Sequence, residues 1–114
     1  MNVIELSTLL DARIVNENHD PALQIELAFA SDLMSDVLTI ESSRMLLITG
    51  LANPQTIRTA EMSDISCILF VRGKKVSPEM KKLANENGIT LLECSSSMFK
   101  TAGILYGAGV KPVY

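Results

Sequence analysis

The chain has 114 residues, 47% hydrophobic content, 4% aromatics and a net charge of -3. That is enough apolar material for one compact domain over residues 1–114, while the acidic balance and the scarcity of rings argue against nucleic acid as a partner. No run approaches the roughly 18 to 20 consecutive apolar residues of a membrane span, and Glu5 and Asp11 interrupt the N-terminus where a secretion signal would be cationic and then apolar; a soluble cytoplasmic protein with no membrane partner is expected.

In chain order, "VIELSTLLD" predicts a short helix with Ile4, Leu6, Leu9 and Leu10 apolar, followed by strands at "ARIV" and "LQIELAFA" with a polar turn from Asn16 to Pro21 between them. "SDLMSDVLTI" predicts a helix capped by Ser31, with Leu33, Met34, Val37 and Leu38 on its inner face. Three short runs then lack polar alternation: "MLLI" (45–48), "CILFV" (67–71) and "ITLL" (89–92). Strands buried on both faces read this way, as in a parallel sheet.

Between these runs lie helices with marked ends. In "NPQTIRTAEM" Asn53 can cap and Pro54 suits the first turn. In "SPEMKKLANENG" Ser77 caps, Pro78 follows and Gly88 stops the helix. Met80, Leu83 and Ala84 form its dry stripe, whereas Glu79, Lys81, Lys82 and Glu86 face away. The resulting β-α-β-α-β-α alternation from residue 45 onward predicts right-handed crossovers. The strand order of the first 44 residues is not set by pattern.

The last helix, "SSMFKTAGILYGAGV", is different. Met98, Phe99, Ala102, Ile104, Leu105 and Tyr106 leave little polar circumference, so it is either enclosed in a larger core or laid against another chain. A homodimer contact through residues 98, 99 and 102–106, including Gly103, is expected. The spacing of Gly103 and Gly107 would allow close helix approach.

Chemistry-bearing patterns are sparse. Cys67 and Cys94 form no CxxC and the single histidine, His19, sits in a turn-like "NENHDP", so no metal spacing exists and reduced, structural thiols are expected. Ligands of parallel α/β sheets sit beyond the carboxyl ends of the strands. Candidate ligand residues there are Ser31, Asp32, Gly50, Asn53, Arg72, Gly73, Lys74, Ser77, Ser96 and Ser97. Yet "RGKK" is not a P-loop and GxGxxG is absent; a glycine turn feeding a capped helix explains residues 72–78, with anion capture as the alternative. Asp32 and Asp36 lie four apart, Asp32 placed to complement a helix dipole. The serines of "CSSSM" have no evident activating base and suit helix capping, so no catalytic residue and no cofactor is expected.

The stretch "LFVRGKKVSPEMKKLANENGITLLECSSSMFKTAGILY", together with the earlier "FASDLMSDVL", resembles the DRTGG domain and, more broadly, the N-terminal domain of HPr kinase/phosphorylase, over residues 25 to about 107. The resemblance implies a three-layer α/β/α architecture with a mainly parallel sheet of about five strands. Of the name-giving residues only glycines carry over, as Gly50 and Gly73: Gly50-Leu51-Ala52 stands where Gly-Asp-Arg is expected, and Arg72-Gly73-Lys74 where Thr-Gly-Gly is expected. The P-loop kinase domain of those enzymes is absent from these residues. The implied function is a non-enzymatic regulatory or assembly module that homodimerises and acts through protein contacts. The alternative is a sensor of a nucleotide or phosphorylated metabolite.

Overall fold

The computed structural model describes residues 1–17, 20–40, 42 and 44–114. Its elements are α1 (Val3–Leu10), β1 (Arg13–Ile14), β2 (Leu27–Ala30), α2 (Met34–Val37), β3 (Met45–Thr49), α3 (Pro54–Met62), β4 (Cys67–Phe70), α4 (Pro78–Glu86), β5 (Thr90–Glu93), α5 (Met98–Gly107) and β6 (Lys111–Pro112). They form one six-stranded sheet of order β1-β5-β4-β3-β2-β6. All neighbours are parallel except β1, which runs antiparallel to β5 at the edge.

The apolar runs occupy the middle of this sheet. Every residue of β3, β4 and β5 is buried, because helices cover both faces and leave no wet side to select polar residues. On one face α2, α3 and α4 pack Val37, Ile57 and Met80 over Leu47, Ile68, Phe70 and Leu91. On the other, α1 and α5 pack Val3, Leu6, Leu10 and Leu105 over Leu46, Ile48, Leu69 and Leu92. The period-2 alternation of side chains along each strand thus feeds two separate cores, giving three layers. Each fully buried Leu, Ile or Phe contributes on the order of 1.5–3 kcal/mol.

Local signals set the helix ends. The side chains of Asn53, Ser77 and Ser97 each accept the backbone N–H three residues on, at 3.1–3.2 Å, with Pro54 and Pro78 in the first turn. Asn2 does the same for α1, whose Glu5 returns the bond to the Asn2 amide. The α4 stripe is as expected: Met80 and Ala84 are buried and Leu83 partly so, with Glu79, Lys81, Lys82 and Glu86 outside.

Four features depart from the sequence expectation. The tail adds β6 beside β2, making six strands rather than five. The strand expected over 23–30 is regular only over β2, with Gln24 making an isolated bridge to Asn2. In α1 the inner face is Val3, Leu6 and Leu10, while Ile4 and Leu9 are exposed, because one helix of eight residues can turn only one stripe to the sheet. The helix expected from Ser31 begins only at Met34, without a side-chain cap, and Leu33 and Leu38 are exposed. The Ser31 hydroxyl instead accepts the Leu33 amide at 3.0 Å, and Asp32 is drawn away to β3, which holds this segment extended.

Candidate functional site

The parallel strands deliver four loops to one edge of the sheet: residues 31–33 after β2, 50–53 after β3, 71–77 after β4 and 94–97 after β5. At their centre the Asp32 carboxylate accepts the Gly50 amide at 2.7 Å and the Thr49 hydroxyl at 2.9 Å. The Arg72 guanidinium lies 3.6 Å from its other oxygen. The Gly50 amide bond, the Thr49 bond and the positive field of Arg72 and Lys74 hold Asp32 below the ordinary carboxylate pKa, against a partial burial that opposes them. Asp32 therefore bridges two strand ends rather than serving the dipole of α2, as the sequence suggested.

Gly50 leaves room for that neighbour. A Cβ on it would displace the Arg72 guanidinium, which lies across the Gly50 backbone. Arg72 reaches there from a left-handed backbone, φ +61°, followed by Gly73 at +71°. The Arg72 conformation costs a non-glycine residue about 1–2 kcal/mol. It is held by the Arg72 amide on the Ser96 carbonyl, 2.8 Å, and the Gly73 amide on the Cys94 carbonyl, 3.0 Å. The loop after β4 is thus pinned to the loop after β5.

The expected ligand residues separate into two groups. Ser31, Asp32, Gly50, Arg72, Gly73 and Ser96 belong to this connected edge, with Lys74 close enough to act on Asp32. The side chains of Asn53, Ser77 and Ser97 are engaged as helix caps. Pro54 and Pro78 also remove one amide each from the starts of α3 and α4. What remains is a half-exposed guanidinium and a strand-end amide, both already answered by a carboxylate of the same chain.

Beside this edge is a second polar cluster that the sequence did not reveal. Glu93, at the end of β5, is only 6% exposed. It accepts Arg13 at 2.8 Å and the Val76 amide at 2.7 Å, and Lys75 lies 3.5 Å away. Its partners are 80 and 17 residues distant along the chain, so no local spacing could have announced it. The cluster ties β1 and the loop before α4 to β5, with Lys75 as its exposed outer member.

Among the described residues no group of three or more His, Cys, Asp or Glu could hold a metal ion, and no helix is long and apolar enough to cross a membrane. His19 lies outside the described residues. Cys67 and Cys94 are both buried and unpaired. Burial pushes the Cys67 thiol up to about 12.

The third feature is the outer side of α5. Phe99 is 90% exposed and Tyr106 71%. They stand seven residues apart, on one stripe, with Gly103 between them and Gly107 beside the second; a Cβ at either glycine would meet nothing within 4 Å. Of the seven residues expected in a subunit contact, Leu105 belongs to the inner core, Met98 and Ile104 pack partly against it, and Ala102 is half-buried. Phe99, Gly103 and Tyr106 are fully outward. Next to Tyr106 an apolar cavity of about 250 Å³ opens between α5 and the β2–β6 edge, where Ala28, Ala30 and Ala102 leave room and Ile48 and Leu105 line it.

The family model of the DRTGG domain matches residues 5–108. The fold is similar, at a TM-score of 0.76 and 16% identity, to a crystal structure of the CBS and DRTGG domains of the regulatory region of Clostridium perfringens pyrophosphatase, complexed with its activator diadenosine tetraphosphate. The match covers 91% of this chain and 45% of that one, so the chain spans less than half of the structure it resembles. No curated protein matches the sequence.

Proposed function

The chain belongs to the DRTGG domain family, a family of regulatory domains, and on that premise we propose that it is a non-enzymatic regulatory or assembly module that homodimerises and works through protein contacts. The observation that carries this reading is the outer stripe of α5. A folded domain exposes scattered apolar residues, but here two large rings share one stripe with open glycine between them. That arrangement suits a partner helix approaching closely. No acid, base and nucleophile converge among the described residues: Ser77 and Ser97 are caps, and Glu93 is held by three donors. Light scattering on the full chain tests the reading. A particle of two copies is expected, and one copy at every concentration would refute it.

A second reading is favoured by Arg72. A half-exposed guanidinium beside a strand-end amide is suited to an anion such as a nucleotide or phosphorylated metabolite, and the related pyrophosphatase region was crystallised with a nucleotide activator. Under this reading the anion would take the place of the Asp32 carboxylate. Thermal melting with a panel of nucleotides and sugar phosphates tests it: a ligand at 100 times its dissociation constant adds about 2.7 kcal/mol. An unchanged midpoint with all of them would argue decisively for contact alone.

A further inference from the structure

We infer that two copies of this chain pair through antiparallel α5 helices about a twofold axis between Ala102 and Gly103, each copy inserting Phe99 into the apolar cavity beside Tyr106 of the other. This rests on the dimer reading above and specifies its geometry.

Four observations carry it. Phe99 projects at 90% exposure and so has no pocket of its own. A cavity of about 250 Å³, lined largely by apolar groups, is rimmed by Tyr106 and Ala102 of the same helix. An axis midway between positions 99 and 106 falls at 102.5, about 5 Å along the helix from each at 1.5 Å per residue. It therefore sets Phe99 of one copy opposite Tyr106 of the other, twice, and closes the assembly at two subunits. Glycine at 103, with open space where its Cβ would be, lets the backbones meet at that axis.

Charge supplies the direction. The last turn of α5 carries no basic residue and the first carries no acidic one. Lys100 instead sits in the first turn, where the helix dipole disfavours it. In an antiparallel pair about this axis, position 100 lies opposite 105, so each Lys100 reaches the carbonyl end of the partner helix. In a parallel pair the two first-turn lysines would face each other. The partner that best fits this stripe is a second copy of the same stripe, inverted.

The test is cysteine cross-linking in the full chain. Cys67 and Cys94 are buried and leave the folded wild type without an accessible thiol. Under mild oxidation Gly103→Cys is expected to form covalent dimers, because the two introduced residues flank the axis. Gly107→Cys should not, since its copies would lie nine residues, about 13 Å, apart along the helices, beyond disulfide reach. Adding Phe99→Asp to Gly103→Cys should weaken association at least about 30-fold, the scale of an interface hot spot, and abolish the cross-link. Phe99 is outside the core, so that variant folds; circular dichroism checks it. A dimer that cross-links through Gly107→Cys, fails to cross-link through Gly103→Cys, or tolerates Phe99→Asp would overturn this geometry while leaving the dimer reading intact. A wild-type protein that is monomeric throughout would overturn both.

Discussion

Helices α4 and α5 have nearly the same length and the same kind of start, a serine side chain on the third amide, yet they meet solvent differently. In α4 every outward position after Pro78 is charged or polar, and the buried stripe of Met80 and Ala84 is fully used by the sheet. In α5 the sheet uses Leu105 and Thr101, while Phe99 and Tyr106 face out. The polarity of α4 is explained by its own domain, and that of α5 is not. The residues that fold α5 are thus separable from those proposed to pair it, since Phe99 and Tyr106 can be changed without touching the core.

Substitutions on the two helices should expose this contrast. Met80→Ala removes a fully buried side chain and is expected to cost about 2–5 kcal/mol in urea denaturation. Phe99→Ala should change the stability of the isolated chain by less than about 0.5 kcal/mol. If Phe99→Ala were as costly as Met80→Ala in dilute solution, the two helices would not differ as described.

The shared feature gives a smaller and equal effect. Ser77→Ala and Ser97→Ala each remove a cap oxygen and should each cost roughly 1 kcal/mol, measured by the same denaturation. A much larger loss at Ser97 would mean that it serves more than the cap.

Between the two helical layers, Cys67 reports on the sheet they enclose. Its thiol is pushed from an ordinary 9.0 up to about 12 by burial. The unfolded chain ionises first as pH rises, so stability should decline above pH 9 and the decline should be reduced in Cys67→Ala. A thiol reagent at pH 8 should modify Cys67 only on unfolding; prompt labelling in the folded chain would show that the central strand is open.

The smallest effect is expected at the strand-end edge. The folded pKa of Asp32 is lowered, first by the Gly50 amide, so its contribution is fully present above the unfolded carboxylate pKa and fades as pH falls through the folded value. Asp32→Asn should be modestly less stable than wild type at neutral pH, with the difference closing in acid. A difference independent of pH would remove the carboxylate from the account. Half exposure of the pair keeps the size small.

What could be read from the sequence was local. Asn53-Pro54 and Ser77-Pro78 each mark a helix start within a few residues, and Gly88 marks a stop. The runs at 45–48, 67–71 and 89–92 match β3, β4 and β5 to within one residue at each end, because a strand covered on both faces has no reason to alternate. What escaped was set by distant partners. Lys111 and Pro112 pair with β2 without any strand pattern of their own, and Asp32 is recruited by Gly50 rather than by the helix it precedes. Arg13, Lys75 and Glu93 look like separate surface charges until the fold joins them. On the candidate edge, the caps at Ser77 and Ser97 were legible and are seen, but the link from Asp32 to Gly50 and Arg72 was not, because it joins three separate loops.

Sedimentation equilibrium of the wild-type chain beside Phe99→Asp bears most directly on the outward stripe of α5. Two copies per particle for the wild type and one for the folded variant are predicted. Equal masses for the two proteins, whether both single or both paired, would contradict the role given to that stripe.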